Sequence, residues 1–147
     1  MESNDKPSAV KIWLIASRPK TLPAATAPVV AASALAWYDG SFRASPAIAC
    51  LLVALLLQIA ANLANDLFDF QRGTDTPDRL GPLRVTQARL LTPGQVKIGL
   101  VVCFAISSFL GIYVASVSSW HILLVGVLAI FAALTYSGGP LPYGYYG

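Results

Sequence analysis

An amide- and acid-rich stretch, NLANDLFDFQRGTD at residues 62–75, follows directly on the apolar run LLVALLLQIAA. At about 100° per helical residue, Asn62, Asn65, Asp66 and Asp69 fall within an arc of roughly 100° on one face of a helix. Such a stripe cannot face hydrocarbon, because an intramembrane carboxylate costs at least about 2.5 kcal/mol. We therefore expect it to face a protein cavity or the membrane interface.

The clustering of the acidic residues favours a cation site. Four of the seven acids, Asp66, Asp69, Asp75 and Asp78, lie within thirteen residues, and carboxylates gathered so closely repel one another unless a cation is bound. Oxygen ligands without a neighbouring His or Cys suit Mg²⁺, which takes one or two carboxylates and completes its shell with water and phosphates. The alternative is an interfacial helix end with Gly73 as its C-cap.

A loop with two arginines follows the acidic cluster. The segment DTPDRLGPLR (75–84) places Arg79 and Arg84 around Gly81 and Pro82. Arginine is the side chain best suited to a bidentate grip on phosphate. The preference for basic residues on the cytoplasmic side of membranes explains the number of arginines equally well. Their position beside the carboxylates is therefore the feature that indicates a phosphate ligand.

The elements that position these residues are predicted to be membrane helices. Of the 147 residues, 56% are hydrophobic and 12% are charged, whereas a soluble domain has about 25% charged residues. Four apolar stretches reach the roughly 17–25 residues that a membrane-spanning helix needs. They lie near 21–38, 46–68, 96–117 and 120–137. The sequence therefore predicts an all-α, multi-pass transmembrane helix bundle in a lipid bilayer.

Basic residues determine the expected orientation of the bundle. Nine of the ten lie before the first span or between the second and third spans, and only Arg43 lies between the first two. The positive-inside rule then places the N-terminus, with a tail over residues 1–11, in the cytoplasm. The net charge of +3 reflects this topology, and we expect no nucleic-acid partner.

Three separated motifs resemble the UbiA-type intramembrane prenyltransferases. The first combines NDLFD (65–69), GTD (73–75) and RLGPLR (79–84), and it is similar to the first Asp-rich motif of that family. The second, RPKTLP (18–23), is similar to the N-terminal signature of the family, and the third, YSGGP with PYGY (136–145), to the segment that closes its fourth helix. Within the family the chain is most similar to the 1,4-dihydroxy-2-naphthoate polyprenyltransferases.

The resemblance implies transfer of a polyprenyl group from polyprenyl diphosphate to 1,4-dihydroxy-2-naphthoate with loss of carbon dioxide. The product would be demethylmenaquinone, in menaquinone biosynthesis at the inner (plasma) membrane, and the cofactor would be Mg²⁺ on the diphosphate. The resemblance also implies that Asn65 and Asp69 are the first metal ligands, with Asp66 and Asp75 as supporting or second ligands. It further implies that the carboxylates of Asp66, Asp69 and Asp75 take part in catalysis. The family often has an Asp four residues after Asp69, where this chain has Gly73. Asp75 is expected to take that role.

Five side chains are candidates for binding the diphosphate or the aromatic acid. They are Arg18, Lys20, Arg79, Arg84 and Tyr136. For the first two, the topological explanation of basic residues stands equally, and a tyrosine at the end of a membrane helix is ordinarily an interfacial anchor. His121 lies at the opposite end of the fourth span, so we expect it to be structural.

The chain differs from the family mainly in its length. Members of the family have about nine transmembrane helices and a second Asp-rich motif, whereas this sequence has four predicted spans. Residues 12–147 therefore resemble the N-terminal part of such an enzyme. One explanation is a partial sequence, a truncation or a split gene, with the missing C-terminal half as a partner, and the other is a degenerate half. We expect no prenyl transfer by this chain alone.

Two other functions stay open. One is a prenyltransferase of the same family that acts on 4-hydroxybenzoate, homogentisate or haem, although the loop at 73–84 resembles the naphthoate branch. The other is a non-catalytic four-helix membrane protein that binds a divalent cation or a partner through the acidic loop. Such a protein would bind Mg²⁺ equally well with and without a prenyl diphosphate.

Overall fold

Five α-helices make up most of the chain in the computed structural model, which describes residues 7–73, 83–138 and 142–145. They are α1 (Ala9–Ser17), α2 (Leu22–Tyr38), α3 (Ala44–Arg72), α4 (Pro93–Val117) and α5 (His121–Ser137). Short 3₁₀ turns occupy Pro19–Thr21 and Tyr143–Tyr145, and the described ranges contain no strand. The predicted fold class, an all-α bundle of membrane type, is confirmed.

The four apolar stretches of the sequence correspond to α2, α3, α4 and α5. Of these, α3 and α4 are long and apolar enough to cross a bilayer, with 29 and 25 residues. Helices α2 and α5 have 17 residues each, which is at the lower end of the roughly 17–25 residues that a crossing needs. The bundle thus combines two long helices with two shorter ones.

Helix α1 was not predicted as an element, because its residues 9–11 belong to the predicted tail and residues 12–17 precede the first predicted span. Ser8 caps its start by accepting a hydrogen bond from the Lys11 backbone N–H, at 3.4 Å. The helix ends at Arg18, whose φ of 51° lies in the left-handed region, and Pro19 follows at the start of the 3₁₀ turn. Because the backbone turns sharply there, α1 and α2 are separate helices.

Helix α3 is the centre of the bundle and contacts all four other helices. Its C-terminal half packs against the start of α4, so the two helices run antiparallel. The buried core lies at that end of the bundle. It consists of Ala16, Ala60, Leu63, Ala64, Leu67, Val85, Leu91, Val96 and Leu100. Trp13 of α1 closes this core over Gly99 of α4, where a Cβ atom would come within 2.7 Å of the indole ring.

Candidate functional site

The polar stripe of α3 faces the inside of the bundle. Asn62 and Asp66 are 3% exposed and Asp69 is 7% exposed, while Asn65 is partly buried. Phe70, the residue after Asp69 and just outside the stripe, is 41% exposed. The fold therefore withdraws the amides and carboxylates from lipid and exposes an aromatic ring instead, as the energetic cost of intramembrane charge requires.

A polar cavity of about 220 Å³ lies at this end of the bundle. Four separate segments line it: the turn after α1, the C-terminal part of α3, the segment before α4, and the end of α5 with the 3₁₀ turn that follows. The lining residues are Arg18, Asn65, Asp69, Arg84, Tyr136, Ser137 and Gly144. Two guanidinium groups against one carboxylate give this lining a formal net charge of +1, which suits an anionic ligand.

Asp69 and Arg84 form a buried ion pair inside the cavity. Their exposed fractions are 7% and 5%. Removing one member of such a pair destabilises a protein strongly, because the other charge is left in a poorly solvated place. The pair therefore connects α3 to the segment before α4 and holds a guanidinium group at the wall of the cavity.

The end of α5 completes the opposite wall. The Ser137 hydroxyl donates a hydrogen bond of 2.7 Å to the Asn65 side-chain oxygen. The backbone approaches α3 closely at Gly138, where a Cβ atom would lie 2.5 Å from the Phe68 ring. A glycine at this position therefore allows Ser137 to reach Asn65.

The 3₁₀ turn after α5 folds back against the last turn of that helix. The rings of Tyr136 and Tyr143 meet edge to face, with their centroids 5.3 Å apart, and the Tyr143 hydroxyl donates to the Ala132 carbonyl at 3.1 Å. A Cβ atom on Gly144 would lie 2.7 Å from the Tyr136 carbonyl oxygen. This close approach brings the turn to the edge of the cavity.

Asn62 and Asp66 contact the backbone of the two turns that carry the cavity arginines. The Asn62 amide donates to the Ser17 carbonyl and to the Thr21 hydroxyl, each at 2.9 Å. The Asp66 carboxylate accepts the backbone N–H groups of Val85 at 3.0 Å and Thr86 at 3.4 Å. Both side chains therefore support the site from outside the lining of the cavity.

The structure brings five of the predicted site residues together. Arg18, Asn65, Asp69, Arg84 and Tyr136 all line the one cavity. Such convergence of residues up to 118 positions apart depends on the tertiary fold. The roles predicted for these side chains stay predictions.

The other predicted site residues lie elsewhere or outside the described ranges. Lys20 is exposed in the 3₁₀ turn and does not line the cavity. Asp66 is buried against the backbone of Val85 and Thr86. Asp75 and Arg79 belong to residues 74–82, which the structure does not describe.

Two further residues of the third motif, Ser137 and Gly144, line the cavity. Ser137 directly follows Tyr136 in the third motif, and Gly144 is the glycine of its second part. The motif itself was the available signal, since both positions lie within it. Nothing in the local sequence distinguishes Ser137 from the many other hydroxyl groups near helix ends, because its contact with Asn65 spans 72 residues.

The cavity offers suitable donor atoms for a hard divalent cation. The described residues contain no group of three His, Cys, Asp or Glu side chains placed to hold a metal. An amide oxygen from Asn65 and a carboxylate from Asp69 nevertheless line the same space. Mg²⁺ commonly takes only one or two carboxylates and obtains its remaining ligands from water and substrate phosphates. These two residues therefore fit a shared, substrate-completed Mg²⁺ site.

The fold and the cavity define a class of protein: an intramembrane helical bundle with a polar, arginine-bearing site at one end of apolar helices. The profile of the UbiA prenyltransferase family matches residues 25–147. The chain belongs to this family, and the expected resemblance is confirmed.

Several curated proteins are similar to nearly the whole chain. The 1,4-dihydroxy-2-naphthoate octaprenyltransferase of Escherichia coli (strain K12) is 40% identical over 95% of this chain and 47% of its own length. The protein of the same name from Mycobacterium tuberculosis is 41% identical over 92% and 46%. The 2-carboxy-1,4-naphthoquinone phytyltransferase of Synechocystis is 32% identical over 96% and 45%. The chain thus spans about half the length of these relatives. No solved structure matches it.

Proposed function

We propose that the chain provides the diphosphate-binding half of a Mg²⁺-dependent prenyltransferase that acts on 1,4-dihydroxy-2-naphthoate. The observation that carries the proposal is the cavity in which Arg18, Arg84, Asn65 and Asp69 meet. The names of the relatives from Escherichia coli and Mycobacterium tuberculosis support the naphthoate acceptor. Both relatives are about twice as long as this chain, so the proposal assigns the acceptor pocket partly to a C-terminal half.

In this proposal the two arginines bind the diphosphate. Arg18 and Arg84 approach the cavity from different turns, so they would contact different oxygens of one diphosphate and fix its position. Asn65 and Asp69 would hold Mg²⁺, which supplies positive charge to the leaving diphosphate oxygens. Asp75 and Arg79, which lie between α3 and α4 in the sequence, are proposed to support this site. Tyr136 would donate its phenolic proton as a hydrogen bond to a phosphate oxygen.

The proposed reaction balances without an added acid or oxidant. The bond between the allylic carbon and the diphosphate oxygen breaks, and the electron pair leaves with the diphosphate. The ring carbon that bears the carboxylate forms the new bond to the allylic carbon. Loss of the carboxylate as carbon dioxide returns its electron pair to the ring, so the product is the hydroquinone form of demethylmenaquinone. Arg18 and Arg84 would stabilise the charge that develops on the diphosphate.

The apolar half of the bundle provides a proposed place for the prenyl tail. A groove of about 500 Å³ lies between α3, α4 and α5, and its walls are almost entirely apolar. Leu57 lines the groove, and Asn65 lines the cavity, eight residues further along the same helix. This spacing corresponds to about 12 Å. A tail attached to a diphosphate in the cavity is long enough to reach the groove and would avoid water there, as the protection of an allylic cation requires.

We further propose that the cavity faces the cytoplasm and that the membrane is the inner membrane. Arg18 and Arg84 lie at the cavity, whereas Arg43 precedes α3 at the other end of the bundle. The positive-inside rule associates the more basic end with the cytoplasm. Labelling of single cysteines introduced at the two ends, in intact cells, would test this orientation.

The first experiment measures binding, because it does not require the acceptor site. The detergent-solubilised chain is titrated with farnesyl diphosphate, with and without Mg²⁺, and with farnesol. We expect farnesyl diphosphate to bind in a Mg²⁺-dependent way and farnesol to bind at least tenfold more weakly. The Asp69→Asn variant should also bind farnesyl diphosphate at least tenfold more weakly than the wild type. Asp39→Asn is the matched control, because Asp39 is exposed at the end of α2. Mg²⁺ binding that is unaffected by farnesyl diphosphate would favour the non-catalytic cation-binding protein instead.

The second experiment identifies the acceptor. Membranes that contain the chain, alone or together with the C-terminal half of the Escherichia coli relative, receive a prenyl diphosphate and competing aromatic acids. We expect transfer only with both halves, and only to 1,4-dihydroxy-2-naphthoate, with release of its carboxylate carbon as carbon dioxide. Preferential prenylation of 4-hydroxybenzoate or homogentisate would contradict the proposed acceptor, and transfer by the chain alone would contradict the need for a second half.

A further inference from the structure

The polar stripe of α3 consists of two rows with different neighbours. Asn65 and Asp69, four residues apart, line the cavity. Asn62 and Asp66, also four residues apart, are more deeply buried and make their hydrogen bonds to the backbone or hydroxyl groups of other segments. Residues at i and i+4 share a helical face. The stripe therefore presents one face to the cavity and a second face to the two turns beside it.

Asp66 is matched to the turn that carries Arg84. Its two carboxylate oxygens accept the consecutive backbone N–H groups of Val85 and Thr86. An ionised carboxylate is acceptor-only, and hydrogen bonds to charged groups are the strong ones. Val85 and Thr86 are 0% and 2% exposed, so these bonds are buried. Arg84 immediately precedes Val85. These two hydrogen bonds therefore fix the backbone position from which the Arg84 side chain extends towards the cavity.

Asn62 is matched in the opposite sense to the turn that carries Arg18. Its NH₂ group donates to the Ser17 carbonyl and to the Thr21 hydroxyl, and Thr21 in turn donates to the Arg18 carbonyl at 2.9 Å. An aspartate here would have no proton to donate to either acceptor. Asn62 thus forms hydrogen bonds to residues before and after Arg18, whose φ of 51° lies in the left-handed region.

We propose that Asn62 and Asp66 are positioning residues that hold the two cavity arginines in place, Asn62 for Arg18 and Asp66 for Arg84. The residue types follow from the neighbours: the first turn presents acceptors and requires an amide, and the second presents donors and requires a carboxylate. This inference rests on the proposed function where diphosphate binding is the readout. It gives Asp66 a role distinct from that of a metal ligand.

Double-mutant cycles test the two pairings. Dissociation constants for farnesyl diphosphate with Mg²⁺ are measured for Asn62→Leu, Asp66→Asn, Arg18→Lys, Arg84→Lys and their combinations. We expect about tenfold weaker binding for Asp66→Asn, and no further loss when Arg84→Lys is added, because the anchor acts through that arginine. The same holds for Asn62→Leu with Arg18→Lys. In the crossed combinations, Asn62→Leu with Arg84→Lys and Asp66→Asn with Arg18→Lys, the fold-changes of the two single variants in the dissociation constant should multiply. Multiplication within both matched pairs would overturn the proposal.

The Mg²⁺ dependence separates positioning from metal binding. In Asp66→Asn the Mg²⁺ concentration for half-maximal farnesyl diphosphate binding should match the wild type within about twofold, whereas in Asp69→Asn it should rise at least tenfold. An equal rise in both variants would assign Asp66 to the metal and contradict its positioning role. Asp39 is exposed at the end of α2, so Asp39→Asn is the control and should leave the half-maximal Mg²⁺ concentration unchanged.

Hydrogen exchange tests the anchor without any ligand. The amides of Val85 and Thr86 should exchange at least tenfold faster in Asp66→Asn than in the wild type, and at the wild-type rate in Asp39→Asn. Unchanged exchange in Asp66→Asn would overturn the inference even if diphosphate binding falls. If no variant and no wild type binds farnesyl diphosphate, the proposed function fails while this measurement still decides the anchor. Asp66→Glu, which keeps the charge but lengthens the side chain, replaces Asp66→Asn if the latter does not fold.

Discussion

The two ends of α3 lie in surroundings that are held together differently. Around the cavity, side chains bond to distant segments: Ser137 to Asn65 across 72 positions, and Arg84 to Asp69 across 15. In the apolar groove, the hydroxyl of Ser107 donates a local hydrogen bond to the Phe104 carbonyl of its own helix. The cavity therefore depends on individual residue types. The groove depends on the size and apolar nature of its walls, which many residues satisfy.

The largest expected effect comes from breaking the buried ion pair of the cavity. Asp69→Ala removes the carboxylate that pairs with Arg84 and should lower the free energy of unfolding by about 3–5 kcal/mol, besides abolishing Mg²⁺-dependent farnesyl diphosphate binding. Thermal unfolding in detergent and ligand titration measure the two effects. Asp39→Ala, at an exposed position, should leave both unchanged. Wild-type stability of Asp69→Ala would mean that the pair does not hold α3 to the segment before α4.

A methyl group added to a glycine should change the free energy of unfolding in opposite directions beside the cavity and in the groove. A Cβ atom on Gly138 would lie 2.5 Å from the Phe68 ring and 2.6 Å from the Leu134 carbonyl oxygen, so Gly138→Ala should cost about 1–3 kcal/mol. Gly111 lines the groove within α4 and has nothing within 4 Å of an added Cβ. Gly111→Ala should therefore be neutral or stabilise by up to about 1 kcal/mol. Equal effects in unfolding experiments would remove the distinction between the two ends.

The groove should respond to volume in a way that depends on the ligand's tail. Ala54→Phe adds an aromatic ring to a groove-lining position and should weaken farnesyl diphosphate binding by about tenfold, while dimethylallyl diphosphate binding changes less than about twofold. Ala105→Phe, on an exposed position of α4, is the matched control. Equal weakening of both ligands by Ala54→Phe would show that the tail does not occupy the groove.

The sequence predicted the positions of the helices better than it predicted which polar side chains line the cavity and which contact the neighbouring turns. Apolar runs determine where helices lie in a membrane, and α2 to α5 therefore correspond to the predicted stretches. Helix α1 was not predicted as separate, because the left-handed turn at Arg18 has no signature in hydropathy. Helical periodicity likewise placed Asn62 and Asp66 in one stripe with Asn65. Which neighbours each side chain contacts depends on segments far away in the chain, and periodicity contains no information about them.

The smallest expected effect concerns two neighbouring cations of the same motif. Arg18 lines the cavity, whereas Lys20 is exposed two residues later. Arg18→Ala should weaken farnesyl diphosphate binding at least tenfold at any salt concentration, because a partly buried charge is screened little. Lys20→Ala should weaken it less than about threefold, and salt should remove the difference, because the charge of Lys20 acts through solvent. Titrations at low and high salt measure both. If Lys20→Ala matched Arg18→Ala at high salt, the cavity lining would not define the ligand site, and the 3₁₀ turn would have to move when the ligand binds.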